Sequence, residues 1–334
     1  MTELPLGWTT RRPTFDDVPA ILELVHASDI AAVGEPDYTA DEVREDLTTP
    51  NTDMERDCLL ALDDSGKIVG WSFPGNSTGR ARDMANVYFW PGSGLPALKP
   101  LLEQLLVRMT ERAAELGHRV YEVRAGAIPG ETELIEALTD AGFVFLKQFA
   151  RMQMSLDGFS PVAPEPPAGI TVRPVRHDDE AEMRAFHAVI EDAFVDSDHL
   201  AIPFDGWLDQ VTKPGVPFDE WFVAEADGRI VGALQSSDGG EDTDEGWVKH
   251  LATLRAYRKR GIGEALLRRA FATYAANGRP KAGLGVDLAN PTDAASLYFK
   301  VGMDALYRAN IYRTTVEAAQ IEAAQTEAAQ TEAV

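Results

Sequence analysis

The chain repeats itself, and an internal repeat limits the possible folds more than composition does. GWTTRRPTFDD, from Gly7, returns as GITVRPVRHDD, from Gly169, and LLALDDSGKIVG, ending at Gly70, returns as FVAEADGRIVG, ending at Gly232; both offsets are 162 residues. A third echo, LTDAGFVFL around Gly142 and YFKVGMDAL around Gly302, has an offset of 160. Three matches in one register describe two copies of one domain, and 334 residues are enough for two independent cores. The Pro-rich stretch GFSPVAPEPPAG between the copies reads as a linker. The expected organisation is a first domain over 1–157, a linker over 158–168, a second domain over 169–315 and a tail over 316–334.

Each copy reads alike. A strand (TTRRPT; TVRPV) leads through Asp-Asp into an amphipathic helix, followed by a hairpin turned at glycine, as in EWFVAEADGRIVGALQ. In the second copy the strand GWVKHLATL, a helix to about Asn277, the strand KAGLGVDLA, a helix opened by NPTDAASLYFKV and a last strand DALYRANIYR complete the unit. The expected class is α/β (α+β), with each domain a mixed, mostly antiparallel sheet flanked by helices. The tail repeats EAAQ every five residues. Five residues advance a helix by about 500°, so its glutamates spiral and no apolar stripe forms. A frayed helix or disorder is expected there.

Charge narrows the partners. The net charge is -23, with 14 basic and 26 acidic side chains in residues 1–157 and 17 and 28 in the remainder. Both halves therefore repel nucleic acid and anionic membranes; the acidity either attracts a small cationic substrate or serves only solubility. No apolar run is long enough to span a bilayer, and MTELPLGWTTRRP has no signal-peptide core, so a cytoplasmic location is expected. The single Cys58, in the apolar run CLLAL, reads as a core residue. No Cys/His spacing suggests a metal.

One stretch carries chemistry. RKRGIGEALLRRAF, from Arg258, places three cations and two glycines at the start of an apolar helical stripe, with no Ser, Thr, Asp or Asn to cap it. An uncapped helix start with glycines, lying between a strand and a long helix, is a ready anion site.

LATLRAYRKRGIGEALL followed by LGVDLANPTDAASLYFKVGM resembles the GNAT superfamily of acyl-CoA-dependent N-acyltransferases, over roughly residues 169–315. The resemblance implies acetyl-CoA as cosubstrate and an amine as acceptor. It assigns Arg258, Lys259, Arg260, Gly261, Ile262 and Gly263 to the pyrophosphate of coenzyme A, with Glu264 also among the coenzyme-binding residues. Leu251, Ala252 and Thr253 would pair with the pantetheine arm, Asn290 would contact the coenzyme, and Tyr298 would protonate the departing thiolate. Asn290 lies one residue further from Tyr298 than is commonest in the family.

The chemistry agrees with that assignment. A protonated alkyl amine must lose a proton before attacking a thioester, and no enzyme nucleophile is required for direct transfer. For the base, strand alternation puts Glu245, Trp247, Lys249, Leu251 and Thr253 on one face and His250 on the other. Glu245, acting through a bridging water, is preferred; a solvated Glu245 in the acidic hairpin, His250 and Asp287 stay open.

The first copy lacks this equipment: YFWPGSGLPALKPLLEQLL has no R-x-x-G-x-G, Gly92 and Gly94 read as a turn, and Leu138 and Thr139 fill the neighbourhood of the tyrosine. The expected function is a small-molecule N-acetyltransferase working in the second copy. Mycothiol synthases share the tandem layout, an antibiotic-modifying enzyme is a second form, and a non-catalytic acyl-CoA sensor is the alternative.

Overall fold

A computed structural model describes residues 2–36, 38–49, 51–75, 81–195, 201–212, 216–238, 245–289 and 294–318. In chain order the elements are β1 (Thr9–Arg11), α1 (Val18–Val33), α2 (Ala40–Thr48), α3 (Met54–Asp57), β2 (Leu59–Leu62), β3 (Ile68–Gly75), β4 (Arg82–Phe89), α4 (Leu95–Glu115), β5 (Val120–Ala127), α5 (Thr132–Asp140) and β6 (Val144–Ser155). They continue with β7 (Thr171–Pro174), α6 (Glu180–Phe194), α7 (Phe204–Val211), β8 (Phe222–Ala226), β9 (Arg229–Asp238), β10 (Glu245–Thr253), α8 (Ile262–Ala276), β11 (Lys281–Asp287), α9 (Ala294–Lys300) and β12 (Asp304–Glu317). Among the described residues no helix is long and apolar enough to cross a membrane.

Two compact units result. One comprises Met1–Lys147 with the chain from Ala309 onward, and the other Gln148–Arg308. In the first, strands pair in the order β1-β2-β3-β4-β5-β12, antiparallel except for β4 with β5. In the second the order is β7-β8-β9-β10-β11-β6, antiparallel except for β10 with β11. Both are mixed, mostly antiparallel sheets flanked by helices.

The last strands are exchanged. β6, at the end of the first repeat, pairs with β11 from Lys281↔Ser155 to Asp287↔Phe149, and β12, at the end of the second, pairs with β5 from Asn310↔Ala127 to Glu317↔Val120. The sequence reading kept each closing strand with its own copy. Repetition identifies equivalent strands, but it cannot say which of two equivalent β5-type edges a closing strand joins. Val316 and Glu317, read as tail, are the end of β12, and the rest of the EAAQ-repeat tail, from residue 319, lies outside the described residues.

The echoed glycines have a packing cause. A Cβ on Gly70 would come within 2.7 Å of Leu101 Cδ1 of α4, and one on Gly232 within 2.9 Å of Ile262 Cγ2 of α8. In each unit the long helix packs against the sheet there, leaving no room for a side chain. In the second unit Ile262, Leu266 and Ala270 of α8 pack with Leu234 and Val248 on one face. Phe186 of α6 and Trp207 of α7 pack with Trp221, Val223, Ala233 and Ala252 on the other. Cys58 is fully buried, and burial, with Asp57 beside it, pushes its thiol up to about 12, as an inert core residue requires.

An ion pair ties α6 to β7. Glu182 accepts from Arg173 at 2.6 and 2.9 Å and from the Arg176 backbone N–H at 2.7 Å. Burial would raise this carboxyl, but Arg173 and Arg176 outweigh it and hold it down at about 2. A lowered folded pKa contributes stability that is present above the unfolded value near 4.5 and is lost as pH falls toward 2. Glu182→Gln is expected to cost on the order of 2 kcal/mol at pH 7 and to flatten the acid limb below pH 4.5, read by denaturant unfolding at several pH values.

Candidate active site

The opening in the second unit comes from its parallel strand pair. β10 and β11 share only Glu245↔Lys281 to Val248↔Leu284. Beyond those pairs β10 stays with β9 as far as Thr253↔Gly232, and β11 stays with β6 as far as Asp287↔Phe149. The strands part while each keeps its outer neighbour. Among the described residues, the pairing of β10 with β11 ends at Val248↔Leu284, and strands that part in this way can accept an extended ligand as an added strand.

A bulge rearranges the side chains at this point. Val248 faces Ser236 and His250 faces Gln235, so Lys249 is an extra residue in β10. A bulge turns the following residues to the opposite face, and the alternation expected from sequence fails here. His250 joins the α6 face, with Nδ1 2.9 Å from Gln235 Oε1 and its ring edge-on to Phe194 at 5.7 Å. Leu251 turns to the α8 side and packs on that core, while Ala252 is buried on the α6 side.

Glu245 lies at the paired end of β10. It is 6% exposed, accepts from Arg151 Nη2 at 2.6 Å and from Gln153 Nε2 at 3.1 Å, and Arg151 also lies over the Trp247 ring at 4.4 Å. Leu251 is about 20 Å further along an extended strand, too far for one bridging water. Both expectations for Glu245, a water-linked base and a solvated hairpin residue, give way to a buried ion pair. Its partners come from β6, which the sequence assigned to the other domain. Asp287, ending β11, accepts from the Ala289 backbone N–H at 2.9 Å. Asn290 lies outside the described residues.

The loop before α8 has the conformation of an anion cradle. Lys259 (φ 60°) and Gly261 (φ 78°) are both left-handed. A lysine there costs roughly 1 kcal/mol, and Gly261 carries the same backbone without that cost. Ala265 is the first residue whose N–H reaches a helix carbonyl, Gly261 O at 3.0 Å, and no side chain caps the helix. Among the described residues, the N–H groups of Arg260, Gly261, Ile262, Gly263 and Glu264 have no acceptor. Five donors at a positive helix end fit a pyrophosphate.

The neighbouring charges divide the work. Arg258 turns inward, donating from Nε to Thr253 O at 3.2 Å and from Nη2 to Ala193 O at 3.0 Å, so it braces the loop against the end of β10 and the last turn of α6. Lys259 and Arg260 are exposed. Glu264 accepts from Lys300 Nζ at 2.6 Å and from Arg268 Nε at 3.0 Å; Lys300 first and then Arg268 hold its carboxyl below the usual range. Tyr298, on α9, is 8% exposed, and burial pushes its phenol up to about 12. Among the described residues nothing hydrogen-bonds its hydroxyl, which stays protonated across the physiological range.

The first unit repeats the parted strands and closes the loop. β4 and β5 share only Arg82↔Glu122 to Met84↔Arg124. At the start of α4, Gly94 N–H donates to Trp90 O at 2.7 Å, Leu95 N–H to Gly92 O at 3.4 Å, and a Cβ on Gly94 would meet Val69 O at 2.3 Å. The donors are used and the space is full. Leu138, on α5, is a core residue where the second unit has Tyr298.

Residues 217–302 match the family model of the acetyltransferase (GNAT) domain. They are a GNAT acetyltransferase domain. It contains the parted strands, the uncapped start of α8 and Tyr298. Solved structures agree in fold. A GCN5-related N-acetyltransferase from Sphaerobacter thermophilus is 26% identical, with a TM-score of 0.82 over 94% of this chain and 98% of that one. A tandem GNAT protein from the clavulanic acid biosynthesis pathway is 14% identical, with a TM-score of 0.65 over 94% and 100%. A GCN5-related N-acetyltransferase from Kribbella flavida is 16% identical, with a TM-score of 0.51 over 86% and 95%. Among curated proteins nothing matches the chain.

Proposed function

We propose that the protein is an acetyl-CoA-dependent N-acetyltransferase that works in its second unit, by direct attack of a small-molecule amine on the thioester. The observation that carries this reading is the pairing, within one unit, of a parted strand pair with an uncapped, unsatisfied helix start. Acetyl-CoA supplies an activated acyl group. The N–H groups of residues 260–264 hold its pyrophosphate, with Lys259 and Arg260 adding positive charge. The edge formed by Leu251, Ala252 and Thr253 takes the pantetheine arm as an added strand.

Tyr298 donates a hydrogen bond to the sulfur as the thioester breaks. A phenol near 12 is a weaker acid than a thiol near 8.5, so its task is to stabilise developing charge, and solvent completes the protonation. We assign His250 to accept the amine proton: the bulge turns it to the α6 face, and the Gln235 carbonyl oxygen fixes the tautomer protonated on Nδ1. His250→Ala is expected to lower turnover 10- to 100-fold and to remove the acid limb of the turnover profile while leaving coenzyme A affinity unchanged. A profile that keeps its acid limb in this variant removes His250 from the role.

The acceptor class follows from charge: a chain of net charge -23 concentrates cationic amines. Cysteinyl glycosides, the acceptor type of mycothiol synthases, and aminoglycosides are the two forms to test, in a cytoplasmic setting where acetyl-CoA is available. The experiment is free-thiol release from acetyl-CoA with a panel of both, together with polyamines. Thiol release with one class supports the enzyme. Tight coenzyme binding without turnover on any amine makes the chain an acyl-CoA sensor.

A further inference from the structure

Of the three cations before α8, Arg258 is the one whose side chain turns inward. Lys259 and Arg260 are exposed, and the Arg260 guanidinium lies over the Tyr257 ring at 5.3 Å. Arg258 is half-buried, and among the described residues it pairs with no carboxylate, although the chain carries 54 acidic side chains. Its guanidinium is spent on two neutral acceptors: Nε donates to Thr253 O and Nη2 to Ala193 O. Charge therefore does not account for its placement. The positions of the two carbonyls do.

The carbonyls stand on the two elements that hold His250. Thr253 ends β10, three residues after His250. Ala193 lies in the last turn of α6, where carbonyls have no helical N–H to accept from, and it precedes Phe194. The Phe194 ring meets the imidazole edge-on at 5.7 Å, and Gln235 Oε1 stands 2.9 Å from its Nδ1. The imidazole thus sits between its own strand and a helix, and one planar group bonded to both backbones sets their separation. The two donors of a guanidinium have a fixed spacing, which the single ammonium of a lysine on its flexible stem does not reproduce.

We propose that Arg258 is a positioning residue for His250: it fixes the strand that carries the imidazole and the helix that packs on it, and it ties both to the coenzyme loop. This rests on the assignment of His250 as acceptor of the amine proton. The pyrophosphate is held without it, by the N–H groups of residues 260–264.

The effect reaches catalysis through geometry. A base must lie within hydrogen-bond reach of the attacking amine, and a misplacement of about 1 Å can cost on the order of 100-fold in rate. Without Arg258 the end of α6 loses its tie to β10, the Phe194 ring no longer presses on the imidazole, and the imidazole can turn away from Gln235. The consequences are a loss in kcat with coenzyme affinity kept, and a mixture of ring tautomers in place of the Nδ1–H form.

The test is a double-mutant cycle on the full chain, with acetyl-CoA and the acceptor of highest turnover in the amine panel. Arg258→Met is expected to lower kcat about 10-fold and to leave coenzyme A affinity, measured by calorimetry, within about threefold of wild type. In a His250→Ala background the same substitution should cost nothing further, because the group it positions is gone. Nitrogen NMR of the histidine rings, with the His250 signals assigned from His250→Ala, should show the Nδ1–H form in wild type and a mixture in Arg258→Met. A merely structural arginine would not move that signature. Arg258→Lys keeps at most one of the two bonds and is expected to shift kcat and tautomer in the same direction by less; it carries the cycle if the Met variant melts early. Unchanged ring signals, or a turnover loss that persists in full without His250, would overturn the proposal. So would coenzyme affinity lowered about 10-fold or more, which would make Arg258 a phosphate ligand. If no amine is turned over, the acetyl-transfer reading fails, and the NMR comparison alone decides whether Arg258 holds His250.

Discussion

Gly261→Asp is expected to weaken coenzyme A binding by about 100-fold or more while leaving the melting temperature close to wild type. Two effects add. The left-handed backbone at φ 78° admits an aspartate only with strain, and a Cβ there would press on Pro167 Cγ at 3.1 Å. The new carboxylate also stands among the N–H groups assigned to the pyrophosphate; like charges about 4 Å apart at a protein surface repel by roughly 4 kcal/mol, more than the 2.7 kcal/mol that a 100-fold change needs. The fold should hold because Gly261 is exposed and precedes the packed stripe of α8. Gly261→Asn separates the two effects, since it meets the same backbone and the same Pro167 contact as the aspartate but brings no charge. Calorimetry should place its affinity between those of wild type and the aspartate variant, and equal affinity in all three would remove the loop from the site.

Tyr298→Phe should leave coenzyme A affinity nearly unchanged and reduce turnover by roughly 10²-fold. The substitution removes a donor and little volume from a position that is 8% exposed. A phenol near 12 is protonated from pH 6 to 9, so the loss should be constant across that range and should not appear only at low pH. A tyrosine that is only a packing residue would give lowered stability and unchanged turnover. Measuring turnover against pH for both proteins, with melting temperature beside it, separates the two.

Much of this was legible in the sequence because it is local. The alternation of β8 and β9, the apolar stripe of α8 and the missing cap before Ile262 are each written in a few neighbouring residues. The echoed IVG at Gly70 and Gly232 records a contact made in both units. What was not legible depends on distant partners. The carboxylate of Glu245 is neutralised by Arg151, nearly a hundred residues away, and the exchange of β6 and β12 decides which unit Arg151 belongs to. The bulge at Lys249 leaves no mark in a sequence whose alternation looks regular, yet it moves His250 from one face of the sheet to the other. Arg258 reads as a phosphate ligand from its place in the motif; only the folded chain shows its guanidinium already given to Thr253 O and Ala193 O.

The two copies differ in whether the backbone donors at the start of the long helix are spent, and amide hydrogen exchange with and without coenzyme A reads those donors directly. Slowed exchange at residues 260–264 and along 251–253, with no change over 92–97 at the start of α4, is the predicted result. Protection over 92–97, or none at 260–264 when the coenzyme is bound, would contradict it.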